Sequence, residues 1–188
     1  IAKSAAGSLF EGWDTTPNAQ RFYVSNGGNL YTAGSIKSGR TTRWTVSPMK
    51  MTAYSSDLQI LPVGTGHVIL SRSGGSSIQY AYLPVDVPGV LFGTAIKLSQ
   101  VHFCYKADST SDYITEFNAR YVKDDGSFTT LVGSTANYTS TSWHCQTLTD
   151  ATPNQISGSL FLRFVLYFSG TGSGHKFYIG NVYLTLSE

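Results

Sequence analysis

Residues able to carry acid–base or metal chemistry are few and scattered in this chain of 188 residues. Glutamate occurs only at Glu11, Glu116 and Glu188. Glycoside hydrolysis needs two carboxylates flanking the scissile bond, and the only strand-borne pairing of that kind is Glu116 with Asp112 or Asp108. Glu116 also fits a plainer role, on the wetted face of its strand opposite a basic neighbour. The four histidines, His67, His102, His144 and His175, lack the i, i+2 or i, i+4 spacing of a metal pair. His102 and His144 do lie near Cys104 and Cys145, so a cross-strand His/Cys cluster can be drawn, although two strands tied through sulfur explain the same spacing. Asp108 and Asp112 sit four apart in the polar run Asp108-Ser109-Thr110-Ser111-Asp112 and could supply part of a calcium cage. Asx and Ser/Thr turns account for that loop without an ion. There is no nucleophile elbow, phosphate-cradling loop or dinucleotide fingerprint in a strand-to-helix setting. The expectation is a chain that is not an enzyme and needs no cofactor or metal.

Aromatic residues are the more promising chemistry. The chain holds 12 tyrosines, 10 phenylalanines and 3 tryptophans. An exposed Tyr or Trp ring offers an apolar plane to the C–H face of a sugar while its polar edge stays wet. Trp13, Trp44, Tyr54, Tyr80, Tyr82 and Trp143 are the candidates for glycan or subunit contact; core packing is the competing role for each.

Only 13% of residues are charged, about half the usual share. Ser, Thr, Gly, Asn and Tyr fill the polar positions, an exchange that favours strands and turns over helices. With 13 basic and 11 acidic residues dispersed along the chain, net +2, no basic stripe exists for a phosphate backbone. Nucleic acid is therefore not an expected partner. No apolar run approaches the roughly 20 residues of a membrane span; the longest, Leu160 to Phe168, is interrupted by Arg163. The chain starts at Ile1 without a charged and apolar leader, which reads as a mature or trimmed N-terminus. Low charge, abundant hydroxyl residues and the sequon Asn137-Tyr138-Thr139, a potential glycosylation site, suit an oxidising exterior. There Cys104 and Cys145 would form a disulfide closing a loop of about 40 residues, contributing on the order of 4 kcal/mol; two free strand-embedded thiols are the alternative.

These residues must be positioned by β-structure. Strands are expected at Ile78 to Leu83, Ala95 to Lys106, Tyr113 to Tyr121, Phe128 to Val132, Ser142 to Thr149, Ser157 to Phe168 and Lys176 to Leu186. Period-two alternation in Tyr113 to Tyr121 puts Tyr113, Phe117, Ala119 and Tyr121 on one face and Glu116, Asn118 and Arg120 on the other. Asp124-Asp125-Gly126 supplies a hairpin turn. The run Leu160 to Phe168 reads as a central strand covered on both faces, paired with Phe177 to Leu184 through the loop Ser169 to His175. Gly180 marks a bulge or a close backbone approach. The fold class that follows is all-β: an antiparallel β-sandwich of jelly-roll type.

Residues 1–47 read differently, as an N-terminal β arm or stalk segment ahead of a sandwich domain at 48–188, with Ser38-Gly39-Arg40-Thr41-Thr42 as linker. Packing of the same residues as the first strands of the sandwich is the alternative. Asn26-Gly27-Gly28-Asn29 signals a hairpin between Phe22-Tyr23-Val24 and Leu30-Tyr31-Thr32. The run Phe22 to Ile36 resembles the short β-repeat of tail-fibre and adhesin stalks, with its F-x-V, Gly-Asn-Leu, Gly-x-Ile rhythm. That resemblance implies a trimeric stalk leading to a globular tip that binds a surface glycan or protein; a single repeat makes this chain the stalk-to-tip junction.

The leading expectation is an extracellular or surface-located structural or adhesive module, a fibre or filament subunit or tip. Its partner would be itself, as a trimer or as a strand-exchanged polymer in which residues 1–36 complete a neighbour's sheet, and it could also hold a cell-surface glycan. The alternatives are a carbohydrate-binding module of a secreted enzyme and, last, a glycoside hydrolase or lyase.

Overall fold

The computed structural model describes residues 8–13, 20–25, 30–32, 41–88, 90–91, 94–156 and 159–187. Residues 1–39 with 90–94 form one compact unit, and residues 40–89 with 95–188 form the other.

In the first unit Ser8–Trp13 (β1), Gln20–Ser25 (β2) and Leu30–Thr32 (β3) make a three-stranded antiparallel sheet in the order β1-β2-β3. Val24 pairs with Leu30 and Phe22 with Thr32, the register expected for that hairpin. The turn 26–29, residues 33–36 of the stalk-like run and residues 38–40 of the linker lie outside the described residues.

The second unit is the β-sandwich. Its elements are Thr42–Val46 (β4), a 3-10 turn at Pro48–Lys50, Thr52–Ala53 (β5), Leu58–Val63 (β6), His67–Arg72 (β7) and Ile78–Val85 (β8). In chain order Val90–Leu91 (β9) and Thr94–Ala95 (β10) come next, a separate two-stranded pair whose residues 90–94 belong to the first unit, and the long strands of the sandwich follow. These are Lys97–Ala107 (β11), Tyr113–Val122 (β12), Phe128–Ser134 (β13), His144–Gln155 (β14), Ser159–Tyr167 (β15) and Lys176–Ser187 (β16). A six-stranded antiparallel sheet has the order β14-β11-β16-β7-β6, with β4 also pairing β16; a five-stranded sheet has the order β13-β12-β15-β8-β5.

The core forms where the two sheets meet. Phe103 of β11 stacks on Phe117 of β12 at 4.5 Å between ring centroids and meets Phe164 of β15 edge-on at 5.4 Å, and all three rings are fully buried. Leu98, Val101 and Tyr105 of β11 and Phe177, Ile179, Val182 and Leu184 of β16 alternate inward beside them, as period-two strands require. Asp112, which is fully buried, accepts hydrogen bonds from the backbone N–H and hydroxyl of Ser169 and lies 3.2 Å from Nδ1 of His175. It thereby ties the loop after β15 to the start of β12. Asp108 instead accepts from the Tyr178 hydroxyl, so the two aspartates named as a calcium candidate are each held by separate protein groups.

Three expectations need correction. Leu160 to Phe168 does not pair with Phe177 to Leu184: β15 lies between β12 and β8, whereas β16 lies in the other sheet beside β11, so the loop 168–175 crosses from sheet to sheet. Two strongly apolar strands can pack face to face as readily as edge to edge, and periodicity cannot separate these cases. Tyr113 does not share the inward face with Phe117, because a bulge between Ile114 and Glu116 turns Ile114 inward and leaves Tyr113 stacked on Tyr167 at 4.7 Å. Finally, Thr42–Val46, assigned to the arm, pairs with Val182 to Leu186 and is part of the six-stranded sheet.

Cys104 and Cys145 are directly opposite one another in the β11–β14 pairing and form the disulfide, with Cα atoms 4.0 Å apart. The free-thiol alternative and a cysteine-ligated metal both fall with it, since a thiolate is required for ligation. Reduction, or the double change C104S/C145S, is expected to lower the unfolding free energy by about 2 to 4 kcal/mol, read as a shift in the urea midpoint at constant slope.

Candidate functional site

The sandwich carries two outer faces, and strand alternation decides what stands on each. On the five-stranded sheet the cross-strand rows run Tyr80–Val165–Glu116, Tyr82–Arg163–Asn118 and Pro84–Phe161–Arg120 across β8, β15 and β12. With neighbouring strands about 4.8 Å apart, each row spans roughly 10 Å. Tyr54, which follows β5, adds an aromatic ring at the edge: it is 73% exposed and lies 5.9 Å from Tyr80 and 6.2 Å from Tyr82. Tyr82 in turn lies 5.8 Å from Phe161. Aromatic density here follows from burying only one side of β8, whose inward positions are Gln79, Ala81, Leu83 and Val85.

On β12, across β15 from the tyrosine-bearing strand β8, stands Glu116. Its Oε1 accepts hydrogen bonds from Asn118 Nδ2 and Arg163 Nη2, and Arg120 Nη2 is 3.6 Å away. Asn118 is buried beneath the cluster, and it can be there because its neighbour in β13 is Gly133: a Cβ on that glycine would come within 2.5 Å of Asn118 Oδ1. Burial alone would raise the Glu116 pKa, but the Asn118 hydrogen bond and the Arg163 and Arg120 cations outweigh it and hold the carboxyl below its ordinary value. Arg163 also lies 5.9 Å over the Tyr80 ring and Arg120 lies 4.4 Å over Phe128. The result is a fixed anion and two fixed guanidinium groups, of which Arg163 adjoins Tyr80 and Tyr82.

The six-stranded sheet presents different chemistry. Tyr183 is stacked on His102 at 4.2 Å and carries Arg43 at 4.1 Å, so both its faces are in use. His102 is pushed below its usual pKa by burial and by Arg43, and its Nδ1 bonds the Thr147 hydroxyl. Farther along, half-exposed Trp143 leans on Gly180, where a Cβ would meet the indole at 2.9 Å, and meets His67 and Tyr178 edge-on at 5.7 and 6.5 Å. Thr65, Gly66, His67, Trp143, Gly180, Asn181 and the disulfide line an open groove there. Gly180 thus lies at a register shift in the β11–β16 pairing, the first of the two alternatives expected of it, and the close neighbour is the Trp143 side chain rather than a second backbone.

Of the aromatic candidates, the fold gathers Tyr54, Tyr80 and Tyr82 into one cluster and places Trp143 on the opposite sheet's outer face. Trp44 is 38% exposed beside Thr45, Lys50, Pro84 and Asp86. Trp13 ends β1, and its side chain lies outside the described residues. Asn137 of the sequon is exposed, and the Thr139 hydroxyl donates to the carbonyls of Thr110 and Asp112. Sequence reasoning missed Arg163 as the partner of Glu116, because an arginine inside an apolar run gives no hint of which strand will lie beside it.

No protein-family model and no curated protein matches the chain in sequence. Solved structures do match in fold. The xylan-binding CBM22-1 domain of Xyn10C from Paenibacillus barcinonensis superposes with a TM-score of 0.51 at 10% identity, over 82% of this chain and 99% of that domain. The CBM22-1 and GH10 modules of xylanase Xyn10B from Clostridium thermocellum, solved with xylohexaose, match with a TM-score of 0.50 at 12% identity, over 79% of this chain and 29% of that one. At these identities the likeness establishes the β-sandwich fold.

Two outcomes follow from the geometry. Because the Glu116 pKa is depressed in the folded state, its contribution to stability is present above the ordinary glutamate value near 4.5 and is lost as pH falls from there through the lower folded value. Glu116→Gln should therefore cost about 1 to 3 kcal/mol at pH 7 and much less at pH 3, measured by urea unfolding at both pH values. Gly180→Leu should displace Trp143 and alter its near-ultraviolet circular dichroism while the far-ultraviolet spectrum stays unchanged; an unaltered indole signal would show that the two are not packed together.

Proposed function

We propose that this chain is a non-catalytic glycan-binding module that works through the outer face of the five-stranded sheet. The observation that supports this is the tyrosine cluster Tyr54, Tyr80 and Tyr82 on the same face as a carboxylate fastened by Asn118, Arg163 and Arg120, with Arg163 next to Tyr80 and Tyr82. A glycan chain laid across the strands can stack one ring on Tyr54 while hydroxyls of a ring farther along donate to Glu116 and accept from the guanidinium groups, the combination of apolar plane and few placed polar groups that sugar recognition needs. Rigid β-strands carry the polar members, so little ordering is left to be done on binding.

Catalysis is a poorer reading of the same geometry. Glu116 is the only carboxylate borne by the strands of the five-stranded sheet, and its pKa is depressed where a general acid needs one raised. The fold similarity to xylan-binding domains supports the glycan-binding alternative ahead of a fibre subunit and makes xylan the first polysaccharide to test. The disulfide suits an oxidising location such as the extracellular space.

Affinity electrophoresis through gels containing xylan, glucans, mannan or pectic polysaccharides tests the proposal. Retardation by at least one of them is expected, and Tyr54→Ala should weaken it by about 1.5 kcal/mol, roughly tenfold. Free migration in every gel, or retention indifferent to Tyr54 and Tyr80, would overturn it.

A further inference from the structure

The charges on the tyrosine face do not balance. The strands of the five-stranded sheet carry one carboxylate, Glu116, against two guanidinium groups, Arg120 and Arg163, and all three stand on the outer face. Neither arginine is a freely solvated surface cation: their side chains are 13% and 17% exposed. Both are directed at the same oxygen of Glu116, Arg163 in hydrogen-bond contact and Arg120 at 3.6 Å. Asn118 donates to that oxygen as well. The two guanidinium groups carry ten N–H donors between them, yet only Nη2 of each is directed at this carboxylate, and the Nε atoms of both arginines are buried with no acceptor among the described residues. Desolvation and the nearby Arg163 cation lower the Arg120 pKa, the direction expected of a cation short of a counter-charge.

Partly buried cations in excess of their anions are costly, and a bound anion would offset that cost. Guanidinium groups fit planar or tetrahedral oxyanions through two parallel hydrogen bonds. A neutral sugar offers no such group. Resting on the glycan-binding reading above, we infer that the face selects an acidic glycan, one in which a sugar carries a carboxylate or a sulfate ester placed at Arg120 and Arg163 while a neighbouring ring of the chain stacks on the tyrosines. Glu116 then acts as a discriminator: it fixes the two guanidinium groups, accepts from hydroxyls, and repels an acid group docked in the wrong orientation.

Isothermal titration of the full chain with a galacturonate hexamer, with its carboxyl-reduced (galactose) counterpart and with a sulfated galactan hexamer tests this. At least one acidic hexamer should bind tenfold or more tightly than the reduced one at 20 mM salt, the two acidic arms telling carboxylate from sulfate. The advantage should shrink several-fold at 500 mM salt. Arg120→Gln should bring the ratio close to one, and Arg120→Lys, which keeps the charge without the fork, should leave part of it. Equal affinity for acidic and reduced hexamers in the wild-type chain, or retention of a neutral polysaccharide through Tyr54 with no acidic hexamer bound, would overturn the inference and leave the glycan-binding reading intact. Absence of binding to every glycan would remove both.

Discussion

The contact of Phe103 with Phe117 and Phe164 is the constraint on which the rest of the sandwich depends. These rings join the two sheets at their centre, and each is fully buried. Because side chains alternate along a strand, committing Phe103, Phe117 and Phe164 to the interior also commits His102, Glu116, Asn118 and Arg163 to the outside. A one-residue slip of β12 against β15 would exchange the two faces of β12, burying Glu116 in an apolar layer and exposing Phe117. The hydrophobic cost of such a slip holds the surface polar groups in register, so the geometry of the outer faces is secured from within.

The two outer faces use their aromatic residues in opposite ways. On the six-stranded sheet, Tyr183 lies between His102 and Arg43, and Trp143 rests on Gly180 beside the disulfide. Much of the ring surface there is spent on internal contacts. On the five-stranded sheet, Tyr54 projects at the edge of the tyrosine group, on the same face as a charge cluster with more cationic than anionic groups. The asymmetry comes from small residues: Gly180 admits an indole against the backbone of β16, while Gly133 admits Asn118 beneath Glu116 and so stiffens the polar cluster from below.

Much of the fold was legible in the sequence, as Tyr113 to Val122 shows. Its alternation correctly placed Phe117 and Ala119 inward and Glu116, Asn118 and Arg120 outward, because burying one side of a sheet imposes period two. Tyr113 was misplaced by one bulge, whose single extra residue inverts the alternation beyond it and leaves no compositional mark. The site was less legible. Tyr54, Tyr80 and Tyr82 were recognised as candidates one by one, but nothing in the chain order linked them to Arg163, some eighty residues away and adjacent to Tyr82 only through the β8–β15 pairing.

The sequence by itself determined the all-β class, most strand positions and the scarcity of acid–base chemistry, and it left Cys104 and Cys145 either free or joined until the β11–β14 pairing set them opposite one another. The properties it determined are local or compositional: propensity, alternation, turn residues and counts of ionisable groups. Tertiary structure alone decided that β15 and β16 lie in different sheets, that Thr42–Val46 belongs to the sandwich, and that one carboxylate must serve two guanidinium groups, of which Arg163 adjoins Tyr80 and Tyr82. Strand pairing decides these, and pairing is set by the summed packing of distant segments, a quantity no window of the chain contains.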